Sequence, residues 1–208
     1  MKRNTIRYGI VGDGRAAKHF AHYLSLLNIS YCQWSRRNEA SRGIGAAQIL
    51  GDTDVVLLLI SDGSIEKFLE ENAFLKEKTL FHFSGALSIP GVHAAHPPMT
   101  FGHHLYDLST YQSIPFLVEK SDRMFKEAFP DFNNPVFPVE SRERPFIHAL
   151  CVLAGNFTSI LWAKFFSEME IRIKIPQQIL LPYLRGISQN VELDFRKALT
   201  GPLARKDF

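Results

Sequence analysis

Cysteine is scarce in this chain: its 208 residues hold only Cys32 and Cys151, far apart and each inside an apolar stretch. This argues against a disulfide framework and fits buried, reduced thiols in a cytoplasmic protein. Net charge is almost absent as well. The 24 basic residues stand against 21 acidic ones, a balance of +3, with no Lys/Arg stripe interleaved with aromatics. Nucleic acid is therefore not an expected partner. No internal repeat or low-complexity tract is visible. The apolar run after the basic residues of "MKRNTIRYGIVG" is too short for a signal peptide and leads straight into a glycine turn. His93, His96, His103 and His104 crowd together, but they match no closed zinc spacing and have only Asp107 as a neighbouring carboxylate, so no metal site is expected. One run imitates a membrane span, "ALCVLAGNFTSILWAKFF" (149–166), broken by Gly155, Asn156, Thr158, Ser159 and Lys164. It predicts a helix buried on most sides by a domain or subunit interface, not by lipid.

What is present is an ordinary globular balance, 46% hydrophobic and 22% charged, in a length that suits one full domain with or without an appendage. Residues 6–11 read as a short buried strand. Ala17, Phe20, Ala21, Leu24 and Leu27 then fall at helical spacing, and Asn28 ends that helix. "SYCQWS" makes a second strand, and the unalternating run in "GDTDVVLLLISD" suits a third, covered on both faces. Ile65, Phe68 and Leu69 mark another helix. "TLFHFSGA", "GVHAAHP" and "IPFLVE" supply further strands, and Met124, Phe125, Ala128 and Phe129 a last small helical face. Strand and helix alternating from the N-terminus mean a doubly wound α/β fold of Rossmann type, with a mostly parallel sheet. The proline-rich, polar "FNNPVFPVESRERP" marks a boundary, which divides the chain into a dinucleotide-binding domain over 1–139 and a smaller all-helical domain over 140–208. In the helical part, Leu180, Leu184, Ile187 and Val191 share a face, Pro176 suits a first turn, and Pro182 should kink or break its helix.

The turn "GDGRAA" carries the first functional signal. In a dinucleotide fold one glycine permits the tight turn, a second lets the backbone approach the pyrophosphate, and a small third residue packs helix on strand. Gly12, Gly14 and Ala17 meet those needs, with Asp13, Arg15 and Ala16 between them, and the N–H groups that open the helix would hold the phosphates. About twenty residues on, an NAD-preferring site carries Asp or Glu for the ribose 2′-hydroxyl. Here Ser35, Arg36 and Arg37 stand instead. Either they are solvated surface charge, or they hold a 2′-phosphate by charge-assisted hydrogen bonds with Arg15 adding to them; together with the turn, the second reading favours NADP.

The blocks "GIVGDGRAA", "LLLISDGSI", "FHFSGALS", "HAAHPPMTF", "IHALCVLAGNF", "ILLPYLRGISQNV" and "ALTGPLARKD" occur here in that order. In this the chain resembles, over essentially its whole length, a family of Rossmann-like NADP oxidoreductases with a helical C-terminal domain of unassigned function. That family is a distant relative of pyrroline-5-carboxylate reductase and the deazaflavin-dependent NADP reductases. The resemblance implies hydride transfer between NADP(H) and a small carbonyl or imine substrate, and a homodimer formed through the helical domain. By kinship alone a deazaflavin could serve as the hydride partner. The family's helical domain ordinarily continues past the glycine-proline element, so a partner subunit completing it, or a less enclosed pocket, is expected here.

Such a reaction needs a proton donor beside the substrate heteroatom and exclusion of water. Ser61 and Asp62 after the third strand and Ser84 after the fourth stand at carboxyl ends of parallel strands. They either contact the nicotinamide half of the cofactor or cap the turns that follow. His96, held before two prolines, is a candidate proton donor or a histidine satisfying a buried carbonyl. His148 and Asn156 lie a little over two helical turns apart, their faces offset by roughly 80°. Asn156, amid apolar neighbours, should bond either a ligand or the partner domain. In the hydroxyacid dehydrogenases that the fold resembles, a lysine stands one turn before the comparable asparagine; here that position is Val152. This departure favours a second reading, a sensor or scaffold that binds NADP(H) without chemistry.

Overall fold

The computed structural model describes residues 6–120 and 123–207. Residues 1–5, which carry the basic part of the leader reading, lie outside the described residues. The chain falls into two compact units, Met1–Cys151 and Val152–Phe208. The division comes after α7 (Arg144–Cys151) instead of after residue 139, because Arg144 and His148 of that helix pack among first-unit residues.

The first unit is built on seven short strands: β1 (Tyr8–Val11), β2 (Tyr31–Trp34), β3 (Val55–Leu58), β4 (Thr79–His82), β5 (His93–His96), β6 (Phe116–Glu119) and β7 (Val136–Val139). They form one sheet in the order β2-β1-β3-β4-β5-β6-β7. Pairing is parallel from β2 through β5; β6 runs antiparallel to β5, and β7 parallel to β6. This is the doubly wound, Rossmann-type sheet the alternation of elements predicts, with strand order reversing between β1 and β3. Ligands sit at that switch point, beyond the strands' carboxyl ends.

Helices cover both faces. Val55 and Leu57 join Tyr8, Ile10, Phe81 and α1 (Arg15–Leu26) in one core, while Val56 and Leu58 join Trp34, Leu50 and Phe68 in the other. That is why the β3 run shows no alternation: each neighbouring residue is buried, on opposite faces. Asn28, at φ 56°, stops α1 with the left-handed residue a helix end favours. Both cysteines are free thiols, half-buried in the chain.

Among the elements that escaped the periodicity reading are α2 (Arg36–Arg42), α3 (Ala46–Leu50), α5 (Leu108–Ser113) and β7. The three helices are too short for a repeat of the apolar face, and β7 contains Pro138, which removes a ladder donor and confines the strand to a sheet edge. α4 (Asp62–Glu71) and α6 (Met124–Ala128) stand where the spacing placed them.

The second unit contains a π-helical turn (Val152–Phe157), α8 (Thr158–Ile171), α9 (Gln177–Asp194) and α10 (Gly201–Arg205). Trp162 and Phe165 of α8 meet Tyr183 of α9 with ring centroids 5.7 and 5.8 Å apart. α9 runs across Pro182 as one helix, so of the expected kink or break the break does not occur. The expected burial of the apolar run is not found within the chain either: Phe157 is 52% exposed, Ile160 59% and Leu161 71%. No described residue of this unit is buried. The helical stretch Ser141–Ile171 is by length and composition apolar enough to cross a membrane.

Candidate functional site

The β1–α1 turn opens on a cavity of about 430 Å³. Gly12 sits at φ +121° and donates its N–H to the Trp34 carbonyl at 2.8 Å. A β-carbon there would stand 2.9 Å from the Leu59 carbonyl carbon, so both conformation and space require glycine. Gly14 precedes α1, and a β-carbon added to it would meet nothing within 4 Å. The backbone at the helix start is thus open to an approaching group. One wall of the cavity is apolar: Leu59, Ile60 and the Trp34 indole, stacked on Phe68 with centroids 4.9 Å apart. The Trp34 Nε1 is buried with no protein partner. The other wall is polar, formed by Ser35, Arg36 and Arg37 after β2 and by Ser61 and Ser64 at the start of α4.

Electrostatics within the turn are specific. The Asp13 carboxylate accepts from the Ser35 hydroxyl at 3.3 Å and pairs with the Arg37 Nε at 3.5 Å. Ser35 in turn accepts from the Asn38 N–H and caps α2. Arg36 has no ion pair among the described residues. An open glycine corner, an apolar wall and two exposed guanidiniums fit a dinucleotide with an extra phosphate on its ribose.

A second group of side chains gathers at the carboxyl ends of β4 and β5. His82 is fully buried, and neither ring nitrogen has a partner among the described residues. His96 Nδ1 donates to the Phe83 carbonyl at 3.2 Å. A carbonyl can only accept, so Nδ1 carries the hydrogen and the buried, unpartnered Nε2 keeps the lone pair. The His148 ring stands edge-on to it, centroids 5.6 Å apart, with a buried Nδ1 that is also unpartnered. Arg144, 2% exposed, donates to the Ser84 carbonyl at 2.8 Å and to the Glu119 carboxylate at 3.4 Å. Burial pushes His82 down to about 4, the Arg144 guanidinium adding to the effect and Asp62 opposing it. His96 is lowered chiefly by burial; its bond to Phe83 opposes, and His148 and Arg144 lower it further. At neutral pH both imidazoles are uncharged.

The sequence candidates divide between these places. Gly12, Asp13, Gly14, Ser35, Arg36, Arg37 and Ser61 line the first cavity. Arg15 does not: it lines a separate cavity on the α1 side of β2. Ala16 and Ala17 pack into the core behind the turn, the role of the small third position. Ser84 donates to Asp62 at 2.6 Å and accepts from the Ala86 and Leu87 N–H groups, so it caps its own turn. His96 and His148 are brought together, whereas Asn156 is exposed on the π-helical turn of the second unit. Among the described residues no three His, Cys, Asp or Glu side chains are placed to share a metal ion. Sequence reasoning missed Trp34, Phe68, His82 and Arg144. His82 and Arg144 sit inside motifs that were quoted, but only tertiary burial distinguishes them from an ordinary strand residue and a surface cation.

Residues 114–208 match the model of a domain of unknown function, DUF2520. None of the curated proteins matches the sequence. Among solved structures, the fold is similar to that of BF3122 from Bacteroides fragilis, provisionally assigned as an NADP oxidoreductase. The two share 21% identity and a TM-score of 0.77, over 97% of this chain and 86% of that one. Protein TM1727 of Thermotoga maritima is 24% identical at a TM-score of 0.67, covering 96% and 85%. The pyrroline carboxylate reductase of Plasmodium falciparum, solved with NADP bound, is 12% identical at a TM-score of 0.61, covering 95% and 85%. The Rossmann-type fold and helical C-terminal region of the resemblance are therefore those of solved NADP oxidoreductases.

Proposed function

We propose that the chain is a cytoplasmic, homodimeric, NADP-dependent oxidoreductase that transfers hydride between NADP(H) and a small carbonyl or imine substrate. The observation that carries this reading is the cavity that joins the open Gly14 corner to Ser35, Arg36 and Arg37. Relatives of the same fold act on such substrates by their names, as the pyrroline carboxylate reductase does. In this arrangement the N–H groups at the start of α1 receive the diphosphate, and the apolar wall of Leu59, Ile60 and Trp34 packs against a flat ring. Arg36 is free to meet a 2′-phosphate, and Arg37 can exchange Asp13 for it. NADPH, when bound, supplies the hydride.

The protein's own chemical contribution is the proton. His96 Nε2, fixed as a lone-pair nitrogen by the bond from Nδ1 to Phe83, takes the proton from an alcohol or amine in one direction and returns it in the other. The His148 ring stands edge-on to His96, with centroids 5.6 Å apart. A module that binds NADP(H) without chemistry is the reading that Val152 favours. The two differ in one outcome: with NADPH bound and imines and small carbonyls supplied, the enzyme oxidises NADPH, and His96→Gln lowers turnover about 100-fold while cofactor affinity holds. Tight binding with no turnover on any such substrate would leave the sensor.

A further inference from the structure

We propose a second anion site, for a phosphate-bearing small molecule, in the cavity on the α1 face of the edge strand β2. Arg15, Lys18 and His22 follow one another at helical spacings of three and four and so share one face of α1. Tyr31 and Gln33, alternate residues of β2, face the same side, opposite to Trp34. His103, from the loop after β5, completes a cavity of about 440 Å³. Its wall holds two permanent cations and three imidazoles but no carboxylate, and it shares no residue with the dinucleotide cavity.

Several other surface cations are matched: Arg7 pairs with Asp54, Lys120 with Glu140, and Lys164 and Arg172 with Glu168. Arg15 and Lys18 have no ion pair among the described residues. The wall is also held in place. His19, 1% exposed, donates from Nε2 to the Gly102 carbonyl at 3.1 Å and accepts at Nδ1 from the Tyr111 hydroxyl at 2.9 Å. Those bonds tie the loop that carries His103 to α1 and use both His19 nitrogens. Gln33 is fixed by donating to the Gly12 carbonyl at 2.8 Å. A preformed concavity of unpaired cations concentrates a multiply charged anion, and a phosphate matches Arg and Lys together better than a single carboxylate does.

Isothermal titration of inorganic pyrophosphate into the full chain, alone and saturated with NADPH, tests the site. Pyrophosphate is expected to bind in both states and to weaken as salt is raised. Lys18→Gln/His103→Gln should weaken it about ten-fold or more, with Lys18→Arg retaining it and Arg36→Ala/Arg37→Ala leaving it unchanged. Absence of binding at millimolar pyrophosphate overturns the proposal. So does binding lost in the Arg36→Ala/Arg37→Ala variant or in NADPH-saturated protein, because the probe then reads the dinucleotide cavity. The titration without NADPH stands whether or not that cofactor binds.

Discussion

A β-carbon at Gly85 would stand 2.6 Å from the His148 Cγ and 2.9 Å from its Cβ, so the imidazole rests directly on the backbone that follows β4. Gly85→Ala should push that ring away from His96. Turnover is expected to fall about ten-fold or more with NADPH affinity unchanged, and equal turnover would show that the pair is not used. His82, beneath them, has its folded value near 4, below its ordinary 6.5. The folded state therefore binds fewer protons than the unfolded one between those values. Stability is complete above about pH 6.5 and is lost as pH falls toward 4, by up to about 3 kcal/mol. Urea melts across that window should show a steeper loss for the wild-type chain than for His82→Leu; parallel curves would contradict the assignment. At this scale the sequence made the glycine turn and the arginine pair legible, because backbone conformation and charge are local properties. It hid His82 and Arg144, whose burial arises from strands and a helix far apart in the chain.

Elements were legible where one face or both faces are buried over enough residues to repeat. The β3 run and α1 are of that kind. β7 was not, because its Pro138 reads as a linker and only its place at the sheet edge makes the proline tolerable. In α9, Pro182 signals a kink or a break, and the helix runs through it without a break. A proline inside a helix removes a donor to the carbonyl four residues back and crowds it. Pro182→Ala is therefore expected to stabilise the chain, by up to about 3 kcal/mol, read as a higher melting temperature. A lower one would mean that the proline ring makes packing that alanine cannot replace.

At the scale of the whole molecule, the second unit leaves many large apolar side chains exposed. Leu161 is 71% exposed, Leu193 77% and Phe195 68%. The homodimer proposed above would give this surface a cover of the same chemistry, a second copy of the chain. Size-exclusion chromatography with light scattering should find a dimer, and Leu161→Glu/Leu193→Glu should shift it to a monomer; a monomeric wild type would sink the dimer reading. The boundary near residue 140 reflected composition, whereas the compact units divide after Cys151 because contacts made by α7, not proline content, set the division. NADP recognition by the glycine turn and the arginine pair is tested by titrating NADPH and NADH into the wild-type chain and the Arg36→Ala/Arg37→Ala variant. NADPH is expected to bind more tightly than NADH, and the variant to lose about 10- to 100-fold of NADPH affinity while NADH binding is little changed. Equal affinity of both cofactors in both proteins, or no binding of either, would mean that the glycine turn is structural and that the reductase reading is wrong.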